Sequence, residues 1–288
     1  MRKIAFSKYH GLENDFLVIG LSAVRLTSSL RGDLTRKICN RHIGIGADGV
    51  VFYSARRDKF RMQLFNADGS EAEISGNGLR ILAQHIYGNR LTRARSFAVD
   101  TAIGNNKVEV VWSRGNGQST RIVLSKPLFR LSEIPMRGRT SHFINRSFET
   151  GSGRLIGTAV NVGNPHIVFF VDNFEFDWRT YGAEVERDRR FPQRTNVEFA
   201  VIRTRSRVEH RSWERGAGET RASGTGAAAV VAAGVMNGLL DHKVSVHEPA
   251  GLLEIELGSL DQSIQLIGPS TKIGDGVFLY DVNAKNHQ

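Results

Sequence analysis

Apolar residues along this chain fall in short alternating runs. In the first half they are Phe16-Leu17-Val18-Ile19, Val50-Val51-Phe52-Tyr53, Phe60 to Phe65, Val108 to Trp112 and Ile122 to Leu124. In the second they are Thr158 to Val162, Ile167 to Val171, Val197 to Ile202, Val208 to Trp213, Leu253 to Leu257 and Ile264 to Ile267. Runs this short, rich in β-branched and aromatic residues, predict strands. Gly115-Asn116-Gly117 and Gly151-Ser152-Gly153 predict turns between them. Two segments predict helices. One follows Gly76-Asn77-Gly78, with Leu79, Leu82, Ala83 and Ile86 on one face, and stops at Gly88. The other follows Gly224-Thr225-Gly226, runs from Ala227 to Met236 and stops at Asn237-Gly238. It is apolar on every side, which predicts a buried helix at the centre of a sheet-built domain.

The two halves resemble each other. Glu71-Ala72-Glu73-Ile74-Ser75-Gly76-Asn77-Gly78 aligns with Glu219-Thr220-Arg221-Ala222-Ser223-Gly224-Thr225-Gly226, 148 residues later. At that spacing Phe65-Asn66 falls on Trp213-Glu214, and Asn14-Asp15-Phe16 falls near Asn164-Pro165-His166, each ahead of a strand. Gly-rich turns look alike anywhere, but several matches at one spacing favour duplication, and two copies facing one another would make a cleft. The pattern predicts an α+β fold of two pseudo-symmetric domains, each a mostly antiparallel sheet wrapped around a central helix, with the active site between them. The expected boundaries are 1–125, completed by 272–288, and 126–271.

Composition narrows the class. The chain has 288 residues, 40% hydrophobic and 24% charged, as an ordinary globular protein does. No apolar run is long enough for a membrane span, and the amino end turns polar at Ser7-Lys8, before a secretory apolar region could form. One cysteine, Cys39, rules out an internal disulfide framework and a clustered-cysteine zinc site. These features point to the cytoplasm. The net charge of +10 draws on a basic stretch that includes Arg187, Arg189, Arg190, Arg194, Arg203, Arg205, Arg207 and Arg211. From Val197 onward that stretch alternates with apolar residues, as a strand with one wet face would. No zinc-finger spacing or aromatic RNA-binding signature accompanies it, so nucleic acid is not an expected partner.

Both predicted helices open on Ser-Gly-X-Gly. The first N–H groups of a helix have no intrahelical acceptor, and the positive end of the dipole lies there, so such a start binds an anion. Two starts gripping one carboxylate would place Ser75 and Ser223 on opposite faces of the carbon that bears it. That geometry suits stereoinversion, in which one group removes a proton and another delivers one. The plainer reading is that each serine is a helix N-cap.

The chain resembles the diaminopimelate epimerases of the cofactor-independent amino-acid racemase superfamily. The resemblance runs in order through nearly the whole chain. It is carried by Lys8 to Phe16, Cys39 to Gly49, Phe65 to Glu71, Gly163-Asn164-Pro165-His166, Thr195-Asn196-Val197 and Trp213 to Thr220. It implies two domains with the active site between them. It also implies interconversion of LL- and meso-diaminopimelate, on the route to lysine and cell-wall peptide, without pyridoxal phosphate, metal or any other cofactor. A homodimer is expected on the same ground. In the family two cysteines exchange the roles of thiolate base and thiol acid; by motif match those positions are Ser75 and Ser223 here.

That departure is chemically severe. A cysteine thiol has a pKa near 8.5, lowered at a helix start, whereas a serine hydroxyl needs a positioned base. His166 and Glu214 stand where the family places helpers. The chain as written is therefore expected to have little or no epimerase activity. Either the serines silence an otherwise normal enzyme, or this is a natural Ser/Ser relative. Such a relative would be a racemase or dehydratase of another amino acid, or a non-catalytic diamino-acid-binding protein. Glu13, where the family usually has Gly, and Ala250 mark an atypical member.

A diamino dicarboxylate substrate needs donors and acceptors at both ends. Arg215 suits the distal carboxylate by two parallel hydrogen bonds. Asn66 and Asn196 match the family's distal-end positions, Asn14 and Asn164 match its other substrate-contacting asparagines, and Glu214 can accept from an ammonium group. The backbone at Gly76, Asn77, Gly224 and Thr225 is expected to hold the reacting carboxylate. Each asparagine also has a plain reading as a turn former. His10 and His42 are expected in structural hydrogen bonds and Cys39 in the core. Asp48 and Asp68 follow the family pattern without an obvious catalytic need.

Overall fold

The computed structural model describes residues 1–22, 26–72, 75–113 and 117–281. Most of the turn expected at Gly115-Asn116-Gly117, and Glu73-Ile74 of the repeated motif, lie outside them. The chain forms two compact units. The first is Met1–Ile122 with the chain from Gly268 onward, and the second is Val123–Ile267.

The first unit contains β1 (Arg2–Gly11), β2 (Asn14–Gly20), α1 (Ser28–Cys39), β3 (Gly49–Arg56), β4 (Lys59–Asn66), β5 (Glu71–Ala72), α2 (Gly76–Gly88), β6 (Ser96–Thr101), β7 (Gly104–Ser113) and β8 (Gly117–Val123). The second contains β9 (Arg146–Thr150), β10 (Gly153–Asn161), β11 (Pro165–Phe170), α3 (Trp178–Glu186), β12 (Asn196–Thr204), β13 (Arg207–Glu214), β14 (Gly218–Thr220), α4 (Gly224–Met236), β15 (Lys243–Glu248) and β16 (Gly251–Glu256). Strand β17 (Gln265–Pro269) follows, and β18 (Thr271–Tyr280) returns to the first unit, where it pairs antiparallel with β1 from Arg2 to His10.

The wiring of the two units is the same. β2 runs parallel to β3, β3 antiparallel to β4, β4 parallel to β6 and β6 antiparallel to β7. In the second unit β11 is parallel to β12, β12 antiparallel to β13, β13 parallel to β15 and β15 antiparallel to β16. β9 beside β10 takes the place that β18 takes beside β1. The fold is thus mixed α+β and strand-rich, as the sequence pattern predicts.

Each sheet is covered on both faces. In the first unit Leu17, Ile19, Val50 and Phe52 pack in one cluster with Leu34 and Ile38 of α1, while α2 lies against β1, β2, β3, β4 and β7. In the second, Ile167, Phe169, Val197 and Phe199 pack with Trp178, Tyr181 and Val185 of α3, while α4 lies against β10 to β13 and β16. α4 is buried from Gly226 to Gly234, as its all-round apolar surface requires.

Two helices are additional to the two that the sequence pattern predicts. α1 offers only the stripe Leu30, Leu34, Ile38 and is interrupted by Gly32; its start is fixed by Thr27, whose hydroxyl accepts from the Leu30 N–H. α3 is nine residues long and is capped by Asp177. The one-wet-face reading from Val197 onward needs correction. β12 is buried continuously from Asn196 to Val201, because α3 and α4 cover opposite faces of it. On β13 the inward side carries Val208, His210 and Ser212.

The arginines of the basic stretch are largely matched by acids of the same unit. Arg190 pairs with Asp188, Arg203 with Glu209, Arg205 with Asp241, and Arg194 with Glu186. Among the described residues no helix is long and apolar enough to cross a membrane.

Candidate active site

Ser75 and Ser223 occupy equivalent places. Each precedes its helix in extended conformation, with φ −135° and −136°, and each hydroxyl accepts from the N–H three residues on. Those bonds, to Gly78 and Gly226, are both 3.2 Å long. In both helices the Ser carbonyl accepts the first intrahelical bond at 2.8 Å, from Leu79 and Ala227. Helix geometry leaves the N–H groups of Gly76, Asn77, Gly224 and Thr225 without intrahelical acceptors, at the positive end of each dipole.

In the first unit the helix start is braced by an asparagine chain. The Asn77 amide donates to Asn14 Oδ1 at 3.0 Å, and Asn14 donates to Asp48 Oδ2 at 2.8 Å. The Arg80 guanidinium, buried one turn along α2, donates to Asn77 Oδ1. Arg41 bridges Asp15 and Asp48, each at 2.8 Å, and Lys8 pairs with Asp15 at 2.9 Å. Burial alone would raise the Asp15 carboxyl, but the hydrogen bonds from Arg41 and Lys8 hold it below its ordinary value. Asp48 is therefore the anchor of the Asn14 side chain. Asn66, at the end of β4, donates to Ser70 Oγ at 3.0 Å, and Asp68 accepts from both the backbone and the hydroxyl of Ser70.

The β1–β2 turn places Leu12 at φ 54° and Glu13 at φ 68°, both left-handed. A glycine would adopt that conformation without strain, so Glu13 stands where a side chain carries a backbone cost. His10 accepts from the Glu13 N–H, and His42 is exposed beside Asn40. Cys39 is buried, and burial with the nearby Asp15 and Asp48 charges pushes its thiol up to about 12.

The second unit brings Asn164, His166, Asn196, Glu214 and Arg215 onto neighbouring strand ends. His166 is fully buried and has both ring nitrogens engaged, Nδ1 with Glu198 at 2.7 Å and Nε2 with Asn164 Oδ1 at 2.8 Å. Asn196 is a brace: its amide donates to the Pro165 carbonyl, and its oxygen accepts from the Arg215 N–H, both at 2.9 Å. The Arg215 guanidinium reaches the Gln193 carbonyl at 3.2 Å. Burial raises the Glu214 carboxyl, against hydrogen bonds from the Thr220 and Ser223 hydroxyls.

Three residues in this half have no counterpart in the sequence reading. Glu198 accepts from His166 and, through its other oxygen, from His210 Nε2 at 2.7 Å. His210 Nδ1 lies 2.9 Å from Glu248 Oε1, and that oxygen also accepts the Ser223 N–H at 2.9 Å. The available signal was an ionisable residue inside an apolar run, Val197-Glu198-Phe199, but it resembled ordinary alternation.

The diaminopimelate epimerase family model matches residues 6–121 and 158–273. A diaminopimelate epimerase of Moorella thermoacetica is 38% identical over 278 residues, covering 96% of this chain and 99% of that protein. One of Methanothermobacter thermautotrophicus is 38% identical over 284 residues, with 96% and 99% covered. Among solved structures, a Bacillus anthracis phenazine biosynthesis protein of the PhzF family aligns with TM-score 0.69 at 14% identity, over 97% of this chain and all of that one. A hydroxyproline epimerase from Agrobacterium vitis aligns with TM-score 0.63 at 12% identity, over 96% of this chain and 91% of that one. These two likenesses extend the shared fold beyond close relatives. With two capped Ser-Gly-X-Gly helix starts on units of the same wiring, and relatives of one name matched nearly end to end, the chain belongs to the diaminopimelate epimerase family.

Proposed function

We propose that this protein binds 2,6-diaminopimelate or a close diamino dicarboxylate, and that its Ser/Ser form turns that substrate over weakly or not at all. The observation that carries the reading is the matched pair of serine-capped helix starts, one in each unit. In this reading the N–H groups of Gly76, Asn77, Gly224 and Thr225 hold the reacting carboxylate. Arg215, Asn66 and Asn196 serve the distal end, Asn14 and Asn164 flank the substrate, and Glu214 takes an ammonium group.

Epimerisation transfers the α-proton to a base on one face, leaves a carbanion, and returns a proton from the other. Ser75 and Ser223 hold the two positions for this exchange. Each hydroxyl oxygen already accepts from a glycine N–H, which leaves less basicity for an α-proton. No cofactor or metal enters the reaction. A cytoplasmic homodimer belongs to the same proposal, and light scattering of the purified protein checks its oligomeric part.

A second reading has an observation of its own. The Ser223 hydroxyl is among the groups that oppose the upward push of burial on the Glu214 carboxyl, so a carboxylate stands near that hydroxyl, as a natural Ser/Ser racemase or dehydratase of another amino acid would need. One experiment separates the readings. Deuterium uptake at the α-carbon of meso- and LL-diaminopimelate is followed by proton NMR in heavy water, for the chain as written and for Ser75→Cys/Ser223→Cys. Exchange only in the cysteine form supports the first reading. Ready exchange by the serine form overturns its expected inactivity and calls for another base, with His166 tested first, whereas silence from both removes diaminopimelate as the substrate and leaves the second reading.

A further inference from the structure

Beneath the start of α4 lies a line of ionisable side chains: His166, Glu198, His210 and Glu248. Their side chains are 0–1% exposed, and consecutive members touch at 2.7, 2.7 and 2.9 Å. The line ends on the Ser223 N–H, through Glu248 Oε1. The first turn of α4 rests on it. A Cβ at Gly226 would stand 2.7 Å from Glu198 Oε2 and 3.0 Å from His210 Cε1, so only glycine lets the helix come this close.

The first unit shows that the fold does not demand these groups. The two sheets can be superposed by their pairing. Phe16 lies opposite Gly49 as His166 lies opposite Asn196, and two residues further along the second strand come Val51 and Glu198. Phe60 lies opposite Val99 as Val208 lies opposite Val246; two residues along each strand come Met62 and Thr101, and His210 and Glu248. Gly78, the counterpart of Gly226, faces Met62 and Val51. Phe16, Val51, Met62 and Thr101 therefore fill the places of His166, Glu198, His210 and Glu248. Burying charge is costly even when paired, so a structural role alone would be met by the first unit's solution.

We propose that His210 is a positioning residue, clamped between Glu198 and Glu248 so that the His166 ring and the Ser223 helix start are held in one line, with a proton fixed on His166 Nδ1. The inference rests on the reading above only in taking His166 and Ser223 as positions where chemistry occurs. The hydrogen-bond logic is restrictive. Glu198 as a carboxylate has no proton to give, so His166 Nδ1 and His210 Nε2 must each carry one. A Glu248 carboxylate likewise can only accept at Oε1, from the Ser223 N–H and from His210 Nδ1, so that nitrogen carries a proton as well and the ring is an imidazolium. Burial disfavours the charged ring, but the two carboxylates reverse this and push His210 up to about 9. Burial likewise opposes the Glu198 charge, yet the two imidazoles bring its carboxyl down to about 2. With Nδ1 committed to Glu198, the ring position left for proton exchange is Nε2, which donates to Asn164 Oδ1.

The test uses the full-length protein with ¹⁵N-labelled histidine, and reads the ring nitrogens by NMR. In the unmodified chain at neutral pH, His210 is expected to show two protonated nitrogens and His166 a protonated Nδ1. A bare nitrogen at any of these three positions overturns the proposal. His210→Met alone leaves two buried carboxylates without their shared partner, so the informative variant is Glu198→Val/His210→Met/Glu248→Thr, which copies the first unit. It is expected to fold and to lose the Nδ1 proton of His166, whose acceptor is gone, while Nε2 keeps the proton it donates to Asn164 Oδ1. Built on the Ser75→Cys/Ser223→Cys background, it is expected to lower kcat at least about tenfold while KM changes little. A folded triple variant with an unchanged His166 pattern refutes the positioning role. If the nitrogen pattern shifts as expected but no form exchanges substrate hydrogen, the failure belongs to the substrate reading and the positioning role stands.

Discussion

Replacing Gly226 by alanine adds one methyl group against a buried carboxylate and imidazole. The new Cβ would lie 2.7 Å from Glu198 Oε2, 2.9 Å from its carboxyl carbon and 3.0 Å from His210 Cε1. Alanine is the better helix former, by up to about 1 kcal/mol. Against this, overpacking costs about 1–3 kcal/mol. Displacing Glu198 also weakens hydrogen bonds to charged partners, worth about 1.5–3 kcal/mol each. The expected net loss is about 2–4 kcal/mol. The equivalent change in the first unit is an internal control. At Gly78 the added Cβ would meet Met62 Cε at 3.1 Å and Val51 Cγ2 at 3.4 Å. A methionine end group can move aside, so Gly78→Ala should stay within about 1 kcal/mol of the parent. Urea denaturation of both variants and the parent, followed by circular dichroism and tryptophan fluorescence, measures the difference. If Gly226→Ala proves as stable as Gly78→Ala, the buried line does not hold the helix start and the reasoning fails.

Three further outcomes are expected. The folded value for His210, about 9, exceeds its ordinary 6.5. Its stabilisation is therefore complete below about 6.5 and is lost as the pH rises through 9, a swing of about 3 kcal/mol. Among the described residues, Glu198 from β12 and Glu248 from β15 face the ring with charge, and α4 presents Gly226. The fall in melting temperature between pH 6 and pH 10 should accordingly be smaller in the Glu198→Val/His210→Met/Glu248→Thr variant; an equal fall contradicts the assignment. Ser75→Ala and Ser223→Ala each remove an N-cap and should cost about 1 kcal/mol in thermal melts, whatever they do to turnover. Cys39, its thiol pushed up to about 12 by burial, should resist alkylation at pH 8 in the native protein and react once unfolded, as mass spectrometry would show.

The parts of the fold legible in the sequence are those in which backbone chemistry leaves a mark. Ser-Gly-X-Gly before an apolar run announces a capped helix, and both α2 and α4 start where that motif places them. Alternating runs marked β2, β3, β4 and β11 to β13. β1 and β18 were not marked, because Lys3, Ser7, Lys8, Lys272 and Asp275 dilute their apolar positions. α3 was hidden by its length, although Trp178, Tyr181, Gly182 and Val185 keep helical spacing. The buried line was illegible for a different reason. A period of two tells which residues share a face, but not whether water or a helix covers it. His210 shares the face of Val208 by the period of two, but nothing in the sequence says that α4 covers that face. The asparagines were visible as motif members; that Asn196 spends its amide on the Pro165 carbonyl and the Arg215 N–H is information only tertiary structure holds.

The antiparallel partnership of β1 with β18 has a consequence for assembly. The second unit is one continuous stretch, Val123–Ile267, whereas the first draws its closing strand from the far end of the chain. Closing a loop from Arg2 to Tyr280 is slow, because chain entropy is lost before the contact rewards it. During synthesis, the β1 edge therefore waits bare until nearly the whole chain has emerged, and bare edges invite foreign strands. Pulsed hydrogen exchange during refolding should find the β1 amides facing β18 protected later than those of β11 and β12. Earlier protection of β1 would mean that the ends of the chain meet before the second unit forms.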